Sequence, residues 1–243
     1  MTLVLAVDTA TDIASVAVGR APGVVAGAHQ QGARRHAAEI IRLVDFALSR
    51  AGVTAQDLEA VVLGDGPGSF TGLRIGWAAV KGLVQEAGVD VIGVPSLLAA
   101  AAGAAERVGP VPVAACFDAL RGQVYGALYV VGPERVETLM PPTLASVAEL
   151  ASRGAPRPAL VVGDGAVRYA DDVVRWSGAP PVGLDQLPPT ATMLLALATR
   201  GGAGRIIENF ATAEPEYGRP AEAQAKWEAH HGRELPRSAD PGR

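Results

Sequence analysis

The residues with the clearest chemical potential are the glycine-rich segment Gly64–Gly72 and the pair Asp8-Thr9. The segment lies between an apolar run and a helical pattern, where backbone N–H groups and a helix start can face an anion. It is not a Walker A loop, because no Lys-Ser or Lys-Thr pair follows the glycines. It also departs from the dinucleotide fingerprint, which needs a third glycine where Thr71 stands. The alternative is a tight strand-to-helix turn capped by Ser69 or Thr71.

Metal-binding and nucleophilic residues are sparse in this sequence. Cys116 is the single cysteine, and it lies in the apolar run 113–117, where a small buried thiol is expected. The four histidines are His29, His36, His230 and His231. None has metal-ligand spacing to a carboxylate cluster, so the sequence predicts no metal site.

Composition narrows the class of protein. The chain has 243 residues, 49% hydrophobic and 19% charged, which is enough for one large domain or two small ones. A net charge of −4 gives the surface no general attraction for phosphate backbones, so any nucleic acid would be contacted mainly through a partner. The apolar runs 3–7 and 97–105 are too short for a signal peptide core and a membrane span. We expect a soluble, cytoplasmic protein.

The predicted secondary structure repeats one order of elements twice: three strands, a helix, a strand and a helix. These elements position the residues named above. The first round predicts strands at 3–7, 13–18, 24–29, 60–63 and 91–94, with helices at 36–51, 71–87 and from Ser96, which is expected to cap its helix. The second predicts strands at 112–117, 123–131, 136–140 and 159–162, with helices at 143–153, 167–176 and 191–200. Ser146 and Glu149 have capping-box spacing. This order predicts lobes at 1–108 and 109–213, then a tail at 214–243 whose first part docks and whose last residues are disordered.

Two helices of the first lobe are broadly apolar. One sheet needs a stripe of roughly 100°, and both helices exceed it. The glycines Gly72 and Gly76 also lie on one helical face, which another backbone can approach closely. The broad faces predict surface left for a partner, and the alternative is that the chain's own domain covers them. The apolar side chains concerned are Ala37, Ile40, Ile41, Leu43, Val44, Phe46, Ala47, Leu48, Leu73, Trp77, Ala79, Val80, Leu83 and Val84.

Several motifs together resemble the TsaB (YeaZ) family. They are Asp8-Thr9-Ala10-Thr11, the block 66–76, Lys81-Gly82-Leu83, the run 93–97, Asp118-Ala119 with Arg121-Gly122, Val124-Tyr125, and Ala213-Glu214-Pro215 with Tyr217 and Arg219. The resemblance covers about residues 2–131 well, returns in the tail and is thin between. The block 66–76 is its most specific part.

The resemblance implies a two-lobed actin-like α/β fold, each lobe a mixed, RNase H-like sheet with flanking helices. It implies a non-catalytic subunit in making threonylcarbamoyladenosine in tRNA. Such a subunit pairs with and activates a TsaD-type catalytic subunit, and a TsaE-type ATPase subunit joins the complex. ATP and metal would be used by those partners, with no cofactor bound by this chain alone. Contact with tRNA would be indirect, and a homodimer is a further possibility when the chain is alone.

The resemblance also assigns residues. The partner interface would comprise His36, Ile40, Ile41, Leu43, Val44, Ala47, Leu48, Leu73, Gly76, Trp77, Val80, Leu83 and Val84. A vestigial phosphate loop would comprise Asp8, Thr9, Gly66, Gly68, Ser69 and Thr71. Arg74, Asp118 and Arg121 would be contacts at the subunit junction. The catalytic relative carries two metal-binding histidines where this chain has Ser96 and Ala100, and neither side chain replaces an imidazole ligand.

Departures from the family and two other functions remain open. Leu120, Gln123 and Gly218 differ from the residues usual in the family, which leaves the roles of the segment 118–125 and of the tail undetermined. A stand-alone actin-like ATPase or small-molecule kinase would use Asp8 and Asp118 for magnesium beside the glycine turns at 66–71 and 163–165. A peptidase would need a base beside Ser69 or Ser96, and no histidine lies on a comparable loop.

Overall fold

A computed structural model describes residues 2–32 and 36–219, with the backbone alone at 36, 86 and 87. The strands are β1 (Leu3–Asp8), β2 (Ile13–Arg20), β3 (Gly23–Gln31), β4 (Ala60–Gly64), β5 (Asp90–Val94), β6 (Pro112–Asp118), β7 (Val124–Val131), β8 (Val136–Ala145), β9 (Leu160–Val162) and β10 (Arg205–Ile206). The helices are α1 (His36–Ala51), α2 (Phe70–Ala87), α3 (Ser96–Val108), α4 (Val147–Ala151), α5 (Asp164–Arg168), α6 (Ala170–Ser177) and α7 (Ala191–Leu197), with a 3-10 turn at Ala55–Asp57.

The strands form two mixed sheets, one for each lobe. The first has the order β10-β5-β4-β1-β2-β3, and the second has the order β8-β7-β6-β9. In each, three antiparallel strands joined by short turns are followed by a helix and by a strand parallel to the first. A parallel pair needs such a crossover, whereas antiparallel neighbours need only a turn. The predicted α/β fold class and the repeated element order are confirmed.

Helices α1 and α2 cover one face of the first sheet. Helix α1 packs on β2 and β3, α2 packs on β1 and β4, and the two helices also contact each other. Their core includes Leu5, Val44, Leu63, Trp77 and Val80, all nearly inaccessible to solvent. The broad apolar faces of these two helices therefore pack both against the sheet and against each other.

The two lobes exchange helices across their shared core. Helix α3, which precedes the second lobe in the chain, packs on β6, β7 and β9 of the second sheet. Helix α7, which follows the second sheet, packs on β1, β2 and β3, and it contacts α3. The predicted division into 1–108 and 109–213 therefore differs from the packing. Helix α3 belongs with the second sheet, whereas α7 and β10 belong with the first.

Several local predictions also change. The predicted helix 143–153 begins at Val147, because β8 continues to Ala145; its capping box of Ser146 and Glu149 is confirmed. The predicted helix 167–176 is two helices that meet at Tyr169. The helix predicted to reach residue 200 ends at Leu197, and β10 was not predicted.

The first part of the tail docks on the body as predicted. The N–H of Glu216 donates to the carbonyl of Asp65 (2.8 Å), and Arg219 donates to the Gln123 side chain (2.7 Å). Residues 220–243, with His230 and His231, and the side chain of His36 lie outside the described residues. Within the described residues, no helix has the length and apolarity that crossing a membrane requires.

Candidate functional site

The end of β1 places Asp8 in a closed position between the lobes. Asp8 is fully buried; its Oδ1 accepts from the N–H of Ala10 (2.9 Å) and its Oδ2 from the hydroxyl of Ser96 (2.8 Å). Burial raises the pKa of Asp8 to about 6, and these two hydrogen bonds oppose the rise. Only glycine fits at Gly64, because a Cβ there would overlap the Asp8 carboxylate. Ser96 thus joins α3 to β1. The prediction that Ser96 caps its helix was wrong, because Pro95 holds the cap position.

The glycine turn packs against the β1–β2 turn of the same chain. A Cβ at Gly68 would overlap the carbonyl oxygen of Ala10, and one at Gly72 would overlap that of Thr9. The N–H of Ser69 donates to the Ala10 carbonyl (2.7 Å), and the Ser69 hydroxyl accepts from the N–H of Gly72 (3.2 Å).

The structure therefore brings Asp8, Thr9 and the glycine turn together, with the N–H of Ser69 used inside the chain. Ser69 caps α2, which was the alternative to an anion site. Gly72 lies against the Thr9 backbone of the same chain, and Gly76 lies against the Thr9 side chain. Thr71 is exposed in the first turn of α2.

The corresponding turn of the second lobe, between β6 and β7, is open to solvent. Leu120 and Arg121 adopt left-handed backbone conformations (φ 62° and 53°), and Leu120 is 58% exposed. Asp118 holds the turn, since its Oδ1 accepts from the N–H of Leu120 (3.0 Å) and its Oδ2 pairs with Arg168 (2.8 Å). The N–H of Asp118 donates to Asp164 (3.1 Å), in the predicted turn at 163–165.

Arg74, the third predicted junction residue, lies in an exposed cluster at the start of α2. Its guanidinium is 4.9 Å from the centroid of the Phe70 ring, and that ring is 4.6 Å from the ring of Tyr217. Two turns further along α2, Lys81 donates to the carbonyl of Ala213 (2.7 Å). The tail segment thus lies along α2, a contact that sequence analysis did not predict.

A cluster that sequence analysis missed lies at the carboxyl end of β4. The side chain of Asp65 is 3.4 Å from Arg205, and the same guanidinium nitrogen is 3.6 Å from Glu216. Burial raises the pKa of Asp65 to about 7; Arg205 lowers it, and Glu216 and Asp8 raise it. A carboxylate at the end of a parallel strand is a usual position for a ligand contact, and this signal could have singled out Asp65.

The predicted partner-interface residues differ in exposure. Eight are buried within the chain: Ile40, Val44, Ala47, Leu48, Leu73, Gly76, Trp77 and Val80. Leu43, Leu83 and Val84 are half-buried. Ile41 is 51% exposed, and Phe46 beside this set on α1 is 53% exposed. The chain's own core therefore uses most of these apolar faces, and whether the remainder contacts a partner stays a prediction.

The structure also shows where the single cysteine lies and whether side chains that could bind a metal come together. Cys116 is buried as predicted, and burial raises the pKa of its thiol to about 12. Among the residues that the structure describes, no group of three or more His, Cys, Asp or Glu side chains is placed to hold a metal ion.

The repeated sheets and the core that they share define a two-lobed protein of the actin-like class. A family model described as TsaD, tRNA N6-adenosine threonylcarbamoyltransferase, matches residues 30–169, more than half of the chain. The chain therefore belongs to this family, and within it to the TsaB (YeaZ) group that its motifs predicted.

Named relatives and a solved structure agree with this. The chain is similar to the tRNA threonylcarbamoyladenosine biosynthesis protein TsaB of Escherichia coli, at 40% identity over 52% of this chain and 54% of that protein. It therefore spans about half the length of that relative. Its similarity to the TsaB protein of Bacillus subtilis is 28% identity over 92% of this chain and 97% of the relative. A crystal structure from Pseudomonas aeruginosa, described as similar to peptidase YeaZ, superposes with a TM-score of 0.73 at 30% identity and covers 90% of this chain and 100% of the other.

Proposed function

We propose that this chain is a non-catalytic subunit in the biosynthesis of threonylcarbamoyladenosine in tRNA. It pairs in the cytoplasm with a TsaD-type catalytic subunit and activates it. The names of the E. coli and B. subtilis relatives support the pathway. The observation that carries the pairing is the exposure of Ile41 and Phe46 on a helix whose other large apolar side chains are packed.

The exposed part of α1 and α2 suits another protein. Ile41 and Phe46 are five residues apart, so they project about 140° apart, on the two flanks of α1. On α2, Ala78 and Gly82 are exposed, and small residues let another helix approach closely. Half-exposed isoleucine and phenylalanine side chains provide apolar area that a second protein can bury. We propose that helices of the catalytic subunit cover this surface.

The closed state of the Asp8 position supports a non-catalytic role. At the two positions where the catalytic relative carries metal-binding histidines, Ser96 donates to Asp8 and Ala100 is 1% exposed in the shared core. The glycine turn is filled by the chain's own Thr9 and Ala10. We therefore assign ATP and metal to the TsaD-type and TsaE-type partners, and contact with tRNA mainly to the complex.

The test is to mix the purified chain with the TsaD-type subunit of the same cell and to measure mass by light scattering and affinity by calorimetry. Ile41→Asp should weaken pairing at least tenfold, because an unpaired carboxylate would be buried at the interface. Val174→Asp is the matched control, since Val174 is 45% exposed on α6 of the other lobe. Val80→Asp is unsuitable, because Val80 is only 2% exposed and the variant would unfold the lobe.

Three results would contradict the proposal. No heterodimer at micromolar concentration would refute the pairing, and equal losses for Ile41→Asp and Val174→Asp would place the interface elsewhere. Tight binding of ATP and magnesium with turnover by the isolated chain would favour a stand-alone ATPase or kinase.

A further inference from the structure

The two lobes enclose a cleft that the proposed function does not use. Its volume is about 300 Å³. Pro67 and Pro95 line it from the first lobe, and Tyr125 and Leu144 line it from the second. These walls are mainly apolar, as small-molecule sites commonly are.

One end of this cleft is lined by charged side chains, and the carboxylates there outnumber the cations. Asp65 is 4% exposed and still lines the cleft, together with Arg205 and Glu216. The two carboxylates share one guanidinium at 3.4 and 3.6 Å, which exceeds the roughly 2.7–2.9 Å of a good charge-assisted hydrogen bond. When both carboxylates are ionised, this end carries one excess negative charge.

The surroundings of Asp65 also leave polar capacity unused. The hydroxyl of Tyr129 is buried and has no hydrogen-bond partner among the described residues. Tyr129 and Tyr125 both belong to the core between the lobes, so they lie on the same face of β7. Burial raises the pKa of Tyr129, and so does the negative charge of Asp65, which places that charge near the phenol. Buried polar groups without a partner are uncommon and call for an explanation.

We propose that this cleft binds a small organic cation, a protonated amine with an apolar body. The ammonium group would lie against Asp65 and Glu216 and compensate their excess charge. The apolar body would lie between the proline wall of the first lobe and Tyr125 and Leu144 of the second. Because the site is separate from α1 and α2, the proposal stands or falls independently of the pairing.

The affinity for such a cation must depend on pH. Burial holds the pKa of Asp65 near 7, and the charged groups acting on it are Arg205, Glu216 and Asp8, with the Tyr129 phenol nearby. A cation binds the ionised carboxylate and displaces its proton. Affinity should therefore rise about tenfold between pH 6 and pH 8, as the ionised fraction of Asp65 rises by that factor. A neutral ligand has no such dependence.

The experiment uses the full chain with benzylamine as the cation and benzyl alcohol as its neutral counterpart. Binding is followed by calorimetry and by NMR shifts at Asp65, Tyr125 and Leu144. Benzylamine should bind at least tenfold more tightly than benzyl alcohol at pH 8, with the predicted pH dependence. Asp65→Asn should remove both the discrimination and the pH dependence.

Two further variants keep the outcome decisive. Glu216→Gln changes an exposed residue and should weaken benzylamine several-fold even if Asp65→Asn fails to fold. Glu106→Gln removes the same charge at the exposed far end of α3, about 15 Å along the helix from Ser96, and should leave binding unchanged. Equal affinity for benzylamine and benzyl alcohol, or an affinity that does not rise with pH, would overturn the proposal.

Discussion

The β1–β2 turn and the β6–β7 turn hold corresponding positions in the two sheets, yet different forces fix them. In the first lobe Thr9 and Ala10 are buried beneath the glycines of the 66–76 block. In the second lobe Leu120 and Arg121 are exposed, and an ion pair between Asp118 and Arg168 holds the turn.

The difference shows how a repeated fold can keep one turn rigid and leave the other adaptable. Close packing of backbone against backbone tolerates no added atom, because interiors are as dense as organic crystals. A surface ion pair contributes little and is screened by salt. We therefore expect the first turn to be structural, whereas the second turn is free to adjust to a neighbouring molecule.

The largest expected effect is on the first turn. Gly72→Ala places a Cβ on the Thr9 carbonyl, and overpacking of this kind should cost about 2 kcal/mol or more of unfolding free energy. Gly82→Ala is the matched control in the same helix, because a Cβ at Gly82 meets nothing within 4 Å. The control should gain up to about 1 kcal/mol from helix propensity. Urea unfolding curves of the two variants measure the contrast, and equal changes would refute the packing argument.

A smaller effect is expected at the hydrogen bond beneath this turn. Ser96→Ala removes a donor to the buried Asp8 carboxylate and should cost about 1–3 kcal/mol at pH 8. The serine favours the ionised form, so its loss raises the pKa of Asp8 beyond about 6. A carboxyl with a raised pKa favours the folded state only while protonated, and that contribution is lost as pH rises through the folded pKa. The cost should therefore be smaller at pH 4.

Ser177→Ala is the control for this prediction. The Ser177 hydroxyl donates to backbone carbonyls and has no carboxylate partner among its hydrogen bonds. Its removal should cost the same at both pH values. If the cost of Ser96→Ala also fails to change between pH 4 and pH 8, Asp8 is not the group that the serine stabilises.

The smallest effect is expected in the second lobe. Arg168→Ala removes the partner of Asp118 but should cost at most about 1 kcal/mol, and less in high salt, since Arg168 is exposed. Amide hydrogen exchange at Leu120 should nevertheless become faster. Arg175→Ala removes a similar exposed pair with Asp172 on α6 and should leave exchange at Leu120 unchanged. If Arg168→Ala lowered the free energy of unfolding as much as Gly72→Ala, the two turns would be equally dependent on their contacts.

Local patterns predicted most of the first lobe. The strands β1 and β4 and the helices α1 and α2 fell within one residue of their observed bounds, because apolar runs and helical spacing are local properties. In the second lobe β8 contains Pro141 and Pro142 and continues to Ala145, beyond the predicted strand 136–140. Prolines are accepted there because β8 is an edge strand, and only the sheet order reveals that.

Part of the candidate site was predictable from the sequence. The resemblance to the family grouped Asp8 with the glycine turn, although the two segments lie far apart in the chain. The contact of Asp65 with Arg205 was not predictable, because Arg205 lies in a strand of two residues that no periodicity marks. The broad face of α1 was correctly recognised, but the sequence could not show that α2 would cover part of it.

The exchange of α3 and α7 has a consequence for how the protein is made. A ribosome completes β1, β2 and β3 early, whereas α7, the helix that shields their second face, emerges only after residue 197. Until then the second, apolar face of the first sheet stays exposed in the nascent chain. Exposed apolar surface of this kind binds chaperones or aggregates with other nascent chains. The first lobe therefore cannot complete its packing before residue 197 has been translated.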